Sequence, residues 1–153
     1  MDLKQYKNVH FVGIGGIGVS ALAEIAKSQG LSVSGSDMKE SEVTQMLEAN
    51  GIKVFIGHAA ENADNADILI YSTAVSQENP ELVRARERGI PVLTRAEALG
   101  AIMETYPVSI AVSGTHGKTT VTSMISEILM EAEMDPTLSI GGILDSIGGN
   151  IRI

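Results

Sequence analysis

Val9-His10-Phe11-Val12-Gly13-Ile14-Gly15-Gly16-Ile17-Gly18 is the stretch that decides the fold. A short apolar run passes into glycines spaced G-x-G-x-x-G. Ile17, Ala21, Leu22, Ile25 and Ala26 then recur at helical intervals until Gly30 stops them. Strand, glycine turn and helix in that order are the context a dinucleotide-type phosphate loop requires. Gly13 permits the tight turn, Gly15 lets a pyrophosphate approach the backbone, and Gly18 lets the helix pack closely on the strand. The unpaired amides of the helix start then face the anion. Asp37 ends the next strand roughly 20 residues on, where the fingerprint puts an acid against a ribose. The pattern points to a nucleotide diphosphate without naming the base, and a glycine turn with no ligand would look the same.

Outward from this unit the rhythm continues. Glu42–Asn50 reads as a short helix, and Lys53–Ile56 and Asp67–Tyr71 read as strands, the second apolar enough to be central. Pro80–Arg88 is a helix with proline in its first turn, Pro91–Thr94 a strand, and Ala96–Tyr106 a helix that Pro107 ends. Strands alternating with helices predict an α/β protein with a parallel sheet, here a Rossmann-like domain over residues 1–107. A second domain is expected to start at 108, with strand Val108–Val112, a glycine loop, a helix from Lys118 to about Glu133 and strand Leu138–Ile140. One βα unit and a strand are too little for an independent core, so residues 108–153 are expected to be the incomplete beginning of a P-loop ATPase domain. The glycine-rich stretch 141–153 suggests no element.

Composition narrows the function. A net charge of −8 over 153 residues leaves no basic excess to neutralise nucleic-acid phosphates. A helix amino terminus still holds a small anion without a basic surface. No cysteine is present, and the three histidines are scattered, so no protein metal cage is expected. Met1–Tyr6 lacks the apolar core of a signal peptide, and no apolar run approaches the roughly 20 residues needed to cross a bilayer. A soluble cytoplasmic protein without membrane contact is expected.

Gly114-Thr115-His116-Gly117-Lys118-Thr119-Thr120 lies between a predicted strand and a predicted helix. It resembles a P-loop: backbone amides wrap the phosphates, Lys118 reaches the β- and γ-phosphates, and the Thr119 hydroxyl meets magnesium. It departs from G-x-x-x-x-G-K-S/T in that Val112 stands at the first glycine and Gly114 makes the early turn. A dehydrogenase has no use for this second loop, and most P-loop enzymes lack the first.

With Gly35-Ser36-Asp37, Tyr71-Ser72-Thr73-Ala74, Asn79-Pro80-Glu81, Arg95-Ala96-Glu97 and Gly141-Gly142, the two loops occur in the order seen in the Mur ligases. The chain resembles that family throughout, and most of all its alanine-adding branch. The resemblance implies an ATP- and Mg2+-dependent ligase of peptidoglycan synthesis, joining L-alanine to UDP-N-acetylmuramate through an acyl phosphate. It assigns the UDP part of the substrate to Gly15, Gly16, Ile17, Gly18, Asp37, Ser72 and Thr73. It assigns ATP to Gly114, Thr115, His116, Gly117, Lys118, Thr119 and Thr120, with Lys118 catalytic and Thr119 toward the metal. Ser72 and Thr73 read equally as strand-end caps. Arg95 either reaches the diphosphate or caps a helix in a salt bridge, the second being favoured. His116 reads as a loop-shaping hydrogen-bonder, His58 as a turn residue and His10 as structural.

The ligase's remaining domains lie beyond Ile153 in this reading, and the chain alone is expected to be inactive. The competing readings are an NAD-dependent Rossmann protein and a stand-alone nucleotide-binding module. Val121, Met124, Ile125, Ile128, Leu129 and Ala132 form an apolar stripe. It is expected to pack against the first domain or a second copy, and a homodimer is favoured because the first domain's helices already cover its sheet.

Overall fold

The computed structural model describes residues 3–153; Met1 and Asp2, which opened the leader reading, lie outside them. The chain divides into two compact units, residues 1–107 and 108–153.

The first unit is a five-stranded parallel sheet in the order β3-β2-β1-β4-β5, formed by β1 (Asn8–Val12), β2 (Ser32–Asp37), β3 (Lys53–Ile56), β4 (Ile68–Tyr71) and β5 (Val92–Thr94). Register is continuous across the middle: Val12 pairs with Ser36 on one side and Tyr71 on the other. The chain leaves β1 in one direction and returns to add β4 on the other side. The switch point of this doubly wound sheet therefore lies between β1 and β4, at their carboxyl ends.

Helices α1 (Ile17–Ser28), α2 (Glu42–Ala49) and α4 (Arg95–Met103) associate on one side, with α1 between the other two. α3 (Pro80–Glu87) and a 3-10 turn at Ala60–Ala63 pack together, and Leu82, Ala85 and Ala63 close a core with Val12 and Leu69. The helix starts follow local chemistry. Ser41 caps α2 in a capping box with Thr44, Thr94 caps α4 in one with Glu97, and Asn79 caps α3 ahead of Pro80.

β2 ends at Asp37, where the fingerprint puts it, whereas the last helix of the unit shifts: α4 starts at Arg95 and ends at Met103. β4 lies inside the sheet, but the central strand is β1. Asp67 stands just before β4: its amide donates to the Asn8 carbonyl (2.9 Å) and its carboxylate takes the amides of Lys7 (3.1 Å) and Asn8 (2.7 Å), tying the entry of β1 to that of β4.

In the second unit, residues 108–117 are irregular, α5 spans Lys118–Glu131, and β6 (Leu138–Leu144) pairs antiparallel with β7 (Gly149–Arg152). The expected strand Val108–Val112 is not formed. Its alternation is that of a strand, but a strand exists only against a neighbour, and none among the described residues pairs with it. The apolar stripe of α5 is also divided. Val121, Met124 and Ile128 are exposed, whereas the buried residue of the helix is Ser126. Small side chains on the Thr119–Thr122–Ser126 face let β6 approach: a Cβ on Gly142 would stand 3.2 Å from Thr119 Cγ2.

Candidate functional site

The loop after β1 is held by three consecutive residues of β2. Gly35 makes room: a Cβ there would meet Ile14 Cδ1 at 2.5 Å and the Phe11 carbonyl oxygen at 2.6 Å. The Ser36 carbonyl accepts from the amides of Gly13 (2.8 Å) and Ile14 (2.9 Å). The Asp37 carboxylate accepts from the Gly15 amide at 2.9 Å. Gly13 itself sits at φ +80, with the space for a Cβ closed by Val75 at 3.2 Å and Ser72 at 3.3 Å. A side chain at Gly13 is thus excluded on conformational and steric grounds.

This clasp sorts the loop amides. Those of Gly13, Ile14 and Gly15 point into β2, and the Gly16 amide closes the turn onto the Gly13 carbonyl. The amides of Ile17 and Gly18, at the first turn of α1, have no partner among the described residues. They are the unpaired donors at the positive end of the helix dipole. Arg95 lies over Gly18: a Cβ there would be 3.2 Å from Arg95 Cδ and 3.5 Å from Nη1. The salt-bridge cap favoured for Arg95 from sequence is absent among the described residues. Thr94 and Glu97 do the capping, which leaves the guanidinium exposed and unpaired at the mouth of the loop.

Across the switch point, Ser72 extends β4 by donating its amide to the Val12 carbonyl, and its hydroxyl accepts from the Ala74 amide at 3.3 Å. Thr73 beside it is exposed. Gly15, Gly16, Ile17, Gly18, Asp37, Ser72 and Thr73 therefore gather at one sheet edge. Asp37 meets the glycine loop there in addition to standing at the end of β2.

Beneath the same edge is a group that the sequence motifs include, in Asn79-Pro80-Glu81, without assigning it a role. Glu81, wholly buried in the first turn of α3, receives Ser36 Oγ (2.6 Å) and His10 Nε2 (3.0 Å) on one carboxylate oxygen. The other receives Asn62 Nδ2 (2.9 Å), His58 Nδ1 (3.2 Å) and the Ala59 amide (3.3 Å). Burial works to raise its pKa, but the hydrogen bonds from His10, Ser36 and Asn62 outweigh this and hold it at about 2. A signal did exist in the sequence. Ser34 and Ser36 alternate with Val33 and Gly35, and His10 alternates with Val9 and Phe11, which puts a polar stripe on one sheet face.

In the second unit, Gly117 adopts the left-handed conformation (φ +78) and caps α5, so the chain turns directly from the loop into the helix at Lys118. The amides of Lys118, Thr119 and Thr120 lack backbone partners among the described residues. Lys118 Nζ folds back to donate to the carbonyls of Gly114 (2.6 Å) and Thr115 (3.4 Å). Thr119 faces Gly141 and Gly142 of β6, and Thr120 is exposed. The His116 ring is exposed and makes no hydrogen bond among the described residues. The expectation that it shapes the loop is therefore replaced: Gly117 and Lys118 do so. No group of three or more His, Cys, Asp or Glu able to hold a metal occurs among the described residues.

Residues 8–107 match the model of the Mur ligase family, catalytic domain. The chain belongs to the Mur ligase family. Over 153 residues and its whole length it is 56% identical to the UDP-N-acetylmuramate–L-alanine ligase of Acetivibrio thermocellus, covering 33% of that protein. It is 54% identical to the enzyme of the same name from Agathobacter rectalis, covering 34% of it. Among solved Mur ligases, the UDP-N-acetylmuramate–alanine ligase MurC of Thermotoga maritima superposes with a TM-score of 0.87 at 41% identity, over 96% of this chain and 34% of that one. The UDP-N-acetylmuramate:L-alanyl-gamma-D-glutamyl-meso-diaminopimelate ligase of Neisseria meningitides gives 0.86 at 33% identity, over 96% and 46%. The chain thus spans about a third of the length of the curated Mur ligases it matches.

Proposed function

We propose that this chain carries the nucleotide-sugar site and the ATP loop of a ligase that joins L-alanine to UDP-N-acetylmuramate in peptidoglycan synthesis. The observation that carries the proposal is identity above half, along the whole chain, to proteins of that name. In this reading residues 1–107 hold the UDP part of the substrate and residues 108–153 begin the ATP-binding domain.

The UDP diphosphate meets the free amides of Ile17 and Gly18 and the Arg95 guanidinium, while Gly15 and Gly16 keep the backbone low enough for its approach. Asp37, Ser72 and Thr73 line the same edge, with Asp37 Oδ1, which accepts from the Lys39 amide at 3.3 Å, toward the ribose. These groups fit a dianionic bridge because they offer donors and no competing acid beyond Asp37. For ATP, the open amides of Lys118, Thr119 and Thr120 fit phosphate oxygens, with the loop Gly114–Gly117 wrapped before them. Magnesium carried with the nucleotide would meet the Thr119 hydroxyl and offset charge on the γ-phosphate.

In the reaction, a carboxylate oxygen of the muramyl group attacks the γ-phosphorus, ADP leaves, and an acyl phosphate forms. The L-alanine amine attacks the acyl carbon, phosphate leaves, and the amine gives up its proton as the amide forms. Lys118 contributes charge stabilisation to the first step by leaving the Gly114 carbonyl for the transferring phosphoryl group. Groups that orient the muramyl carboxylate and the amine are not among those just named, so the chain by itself turns over no substrate.

The absence of a helix long and apolar enough to cross a membrane, among the described residues, is compatible with action in the cytoplasm. Exposed Val121, Met124 and Ile128 on α5 favour self-association of the isolated chain, which light scattering after size exclusion would report.

Calorimetric titration of the chain with UDP-N-acetylmuramate, UDP, ATP and NADH tests the reading. UDP compounds are expected to bind and NADH is not. Tighter binding of NADH than of UDP would return the first domain to the oxidoreductases, and alanyl product from the pure chain would refute its inactivity.

A further inference from the structure

Ser36 in β2 touches both Glu81 and the glycine loop. Its hydroxyl donates to Glu81 Oε2 at 2.6 Å, while its carbonyl holds the amides of Gly13 and Ile14. With 0% exposure, Glu81 cannot meet a ligand itself. Its surroundings are also more than is needed to seat α3, since an apolar side chain of similar volume would do that without desolvating a carboxylate. Instead five donors converge on it, from β1, β2, the loop after β3 and the 3-10 turn. They fix the carboxylate to which Ser36 Oγ donates, beside a Ser36 peptide that its pairing with Val12 and Phe55 keeps in one orientation. That orientation commits the Gly13 and Ile14 amides to β2, and the turn they begin ends at the free amides of Ile17 and Gly18.

We propose that Glu81 is a positioning residue for the glycine loop, setting through Ser36 where the loop's open amides meet a diphosphate. This rests on the nucleotide-sugar reading for the identity of the ligand, and on geometry alone for the link between Glu81 and the loop. His10 and His58 act with it by fixing the two carboxylate oxygens, and Ser34 holds the far nitrogen of His10 at 2.8 Å.

The test uses the full 153-residue chain as wild type, Glu81→Gln, Ser36→Ala and the double variant. Backbone amide NMR is recorded without ligand, and UDP is titrated by calorimetry. Glu81→Gln should move the amide signals of Gly13, Ile14 and Gly15 and weaken UDP binding about tenfold, as loss of one oriented charged hydrogen bond does. Ser36→Ala should do the same, and the double variant should be no weaker than either single one, because both break one linkage. A merely structural role gives additive losses instead. Unmoved loop amides in Glu81→Gln, or additive losses of affinity, overturn the proposal. If the wild type binds no UDP, the nucleotide-sugar reading falls, while the ligand-free amide signals still decide the positioning role. If Glu81→Gln does not fold, Ser36→Ala decides alone: unmoved Gly13 and Ile14 amides refute the link.

Discussion

The carboxylate of Asp37 and the backbone amide of Gly15 are joined at 2.9 Å, so the acid that ends β2 is part of the loop that ends β1. A Cβ on Gly15 would stand 2.9 Å from the same oxygen. Asp37→Ala should therefore cost about 1.5–3 kcal/mol of stability, and Asp37→Asn, which keeps an acceptor, markedly less. Gly15→Ala should break the same contact, so combining it with Asp37→Ala should add little. Urea unfolding of the four variants measures this, and full additivity would show that the contact carries no stability.

Gly35 offers a harsher test of the clasp. A methyl there meets the Phe11 carbonyl, which belongs to a central strand and cannot withdraw, besides Ile14. Gly35→Ala should destabilise the first unit by about 1–3 kcal/mol through overpacking. An unchanged urea midpoint would mean that β1 and β2 adjust more freely than their register suggests.

Acid should reveal Glu81. Its folded pKa, about 2, lies below the ordinary 4.5, so ionised Glu81 favours the folded state. That stability is present above about 4.5 and is lost as pH falls from there toward 2. Glu81→Gln should be less stable at neutral pH and should lose less stability than wild type across that window. Unfolding curves collected from pH 6 downward, roughly one unit apart, give the comparison. Parallel curves for the two proteins would contradict the assignment.

Much of this molecule was legible in its sequence, and the exceptions have physical causes. The strand-loop-helix around Gly13–Gly18 could be read because glycine spacing, apolar periodicity and the Asp37 offset are local or nearly so. Val108–Val112 was misread because β-branched alternation reports a preference, whereas a strand requires a hydrogen-bonding neighbour. The role of Glu81 escaped because His10, Ser36, His58 and Asn62 converge on it from 19 to 71 residues away, a meeting that only the sheet order creates. The salt-bridge cap favoured for Arg95 is not formed among the described residues, because Glu97 is taken by the Thr94 amide and hydroxyl.

Arg95 is the residue whose loss should separate binding from folding. Exposed and unpaired over Gly18, it has little to contribute to stability, and Arg95→Ala should stay within about 0.5 kcal/mol of wild type. UDP affinity should fall about tenfold and become less sensitive to salt. Calorimetry at two salt concentrations checks both, and an unaltered affinity would remove Arg95 from the site.

Lys118→Ala should abolish ATP binding while leaving UDP binding in the first unit unchanged, since the two loops belong to separate units. Parallel titrations with the two nucleotides provide the measurement, and retained ATP affinity would count against the P-loop assignment.

The lysine that folds onto its own loop has a bearing on how such a site fills. With Nζ donating to the Gly114 carbonyl, a long and rotamer-rich side chain is held partly ordered, which lessens the roughly 1.5–2 kcal/mol that fully ordering such a side chain costs. The incoming phosphate exchanges one oxygen for another at an ammonium group that stays hydrogen-bonded at both ends of the exchange. On the ATP-loop reading, Lys118 is thereby directed toward its own loop, where the phosphates would lie.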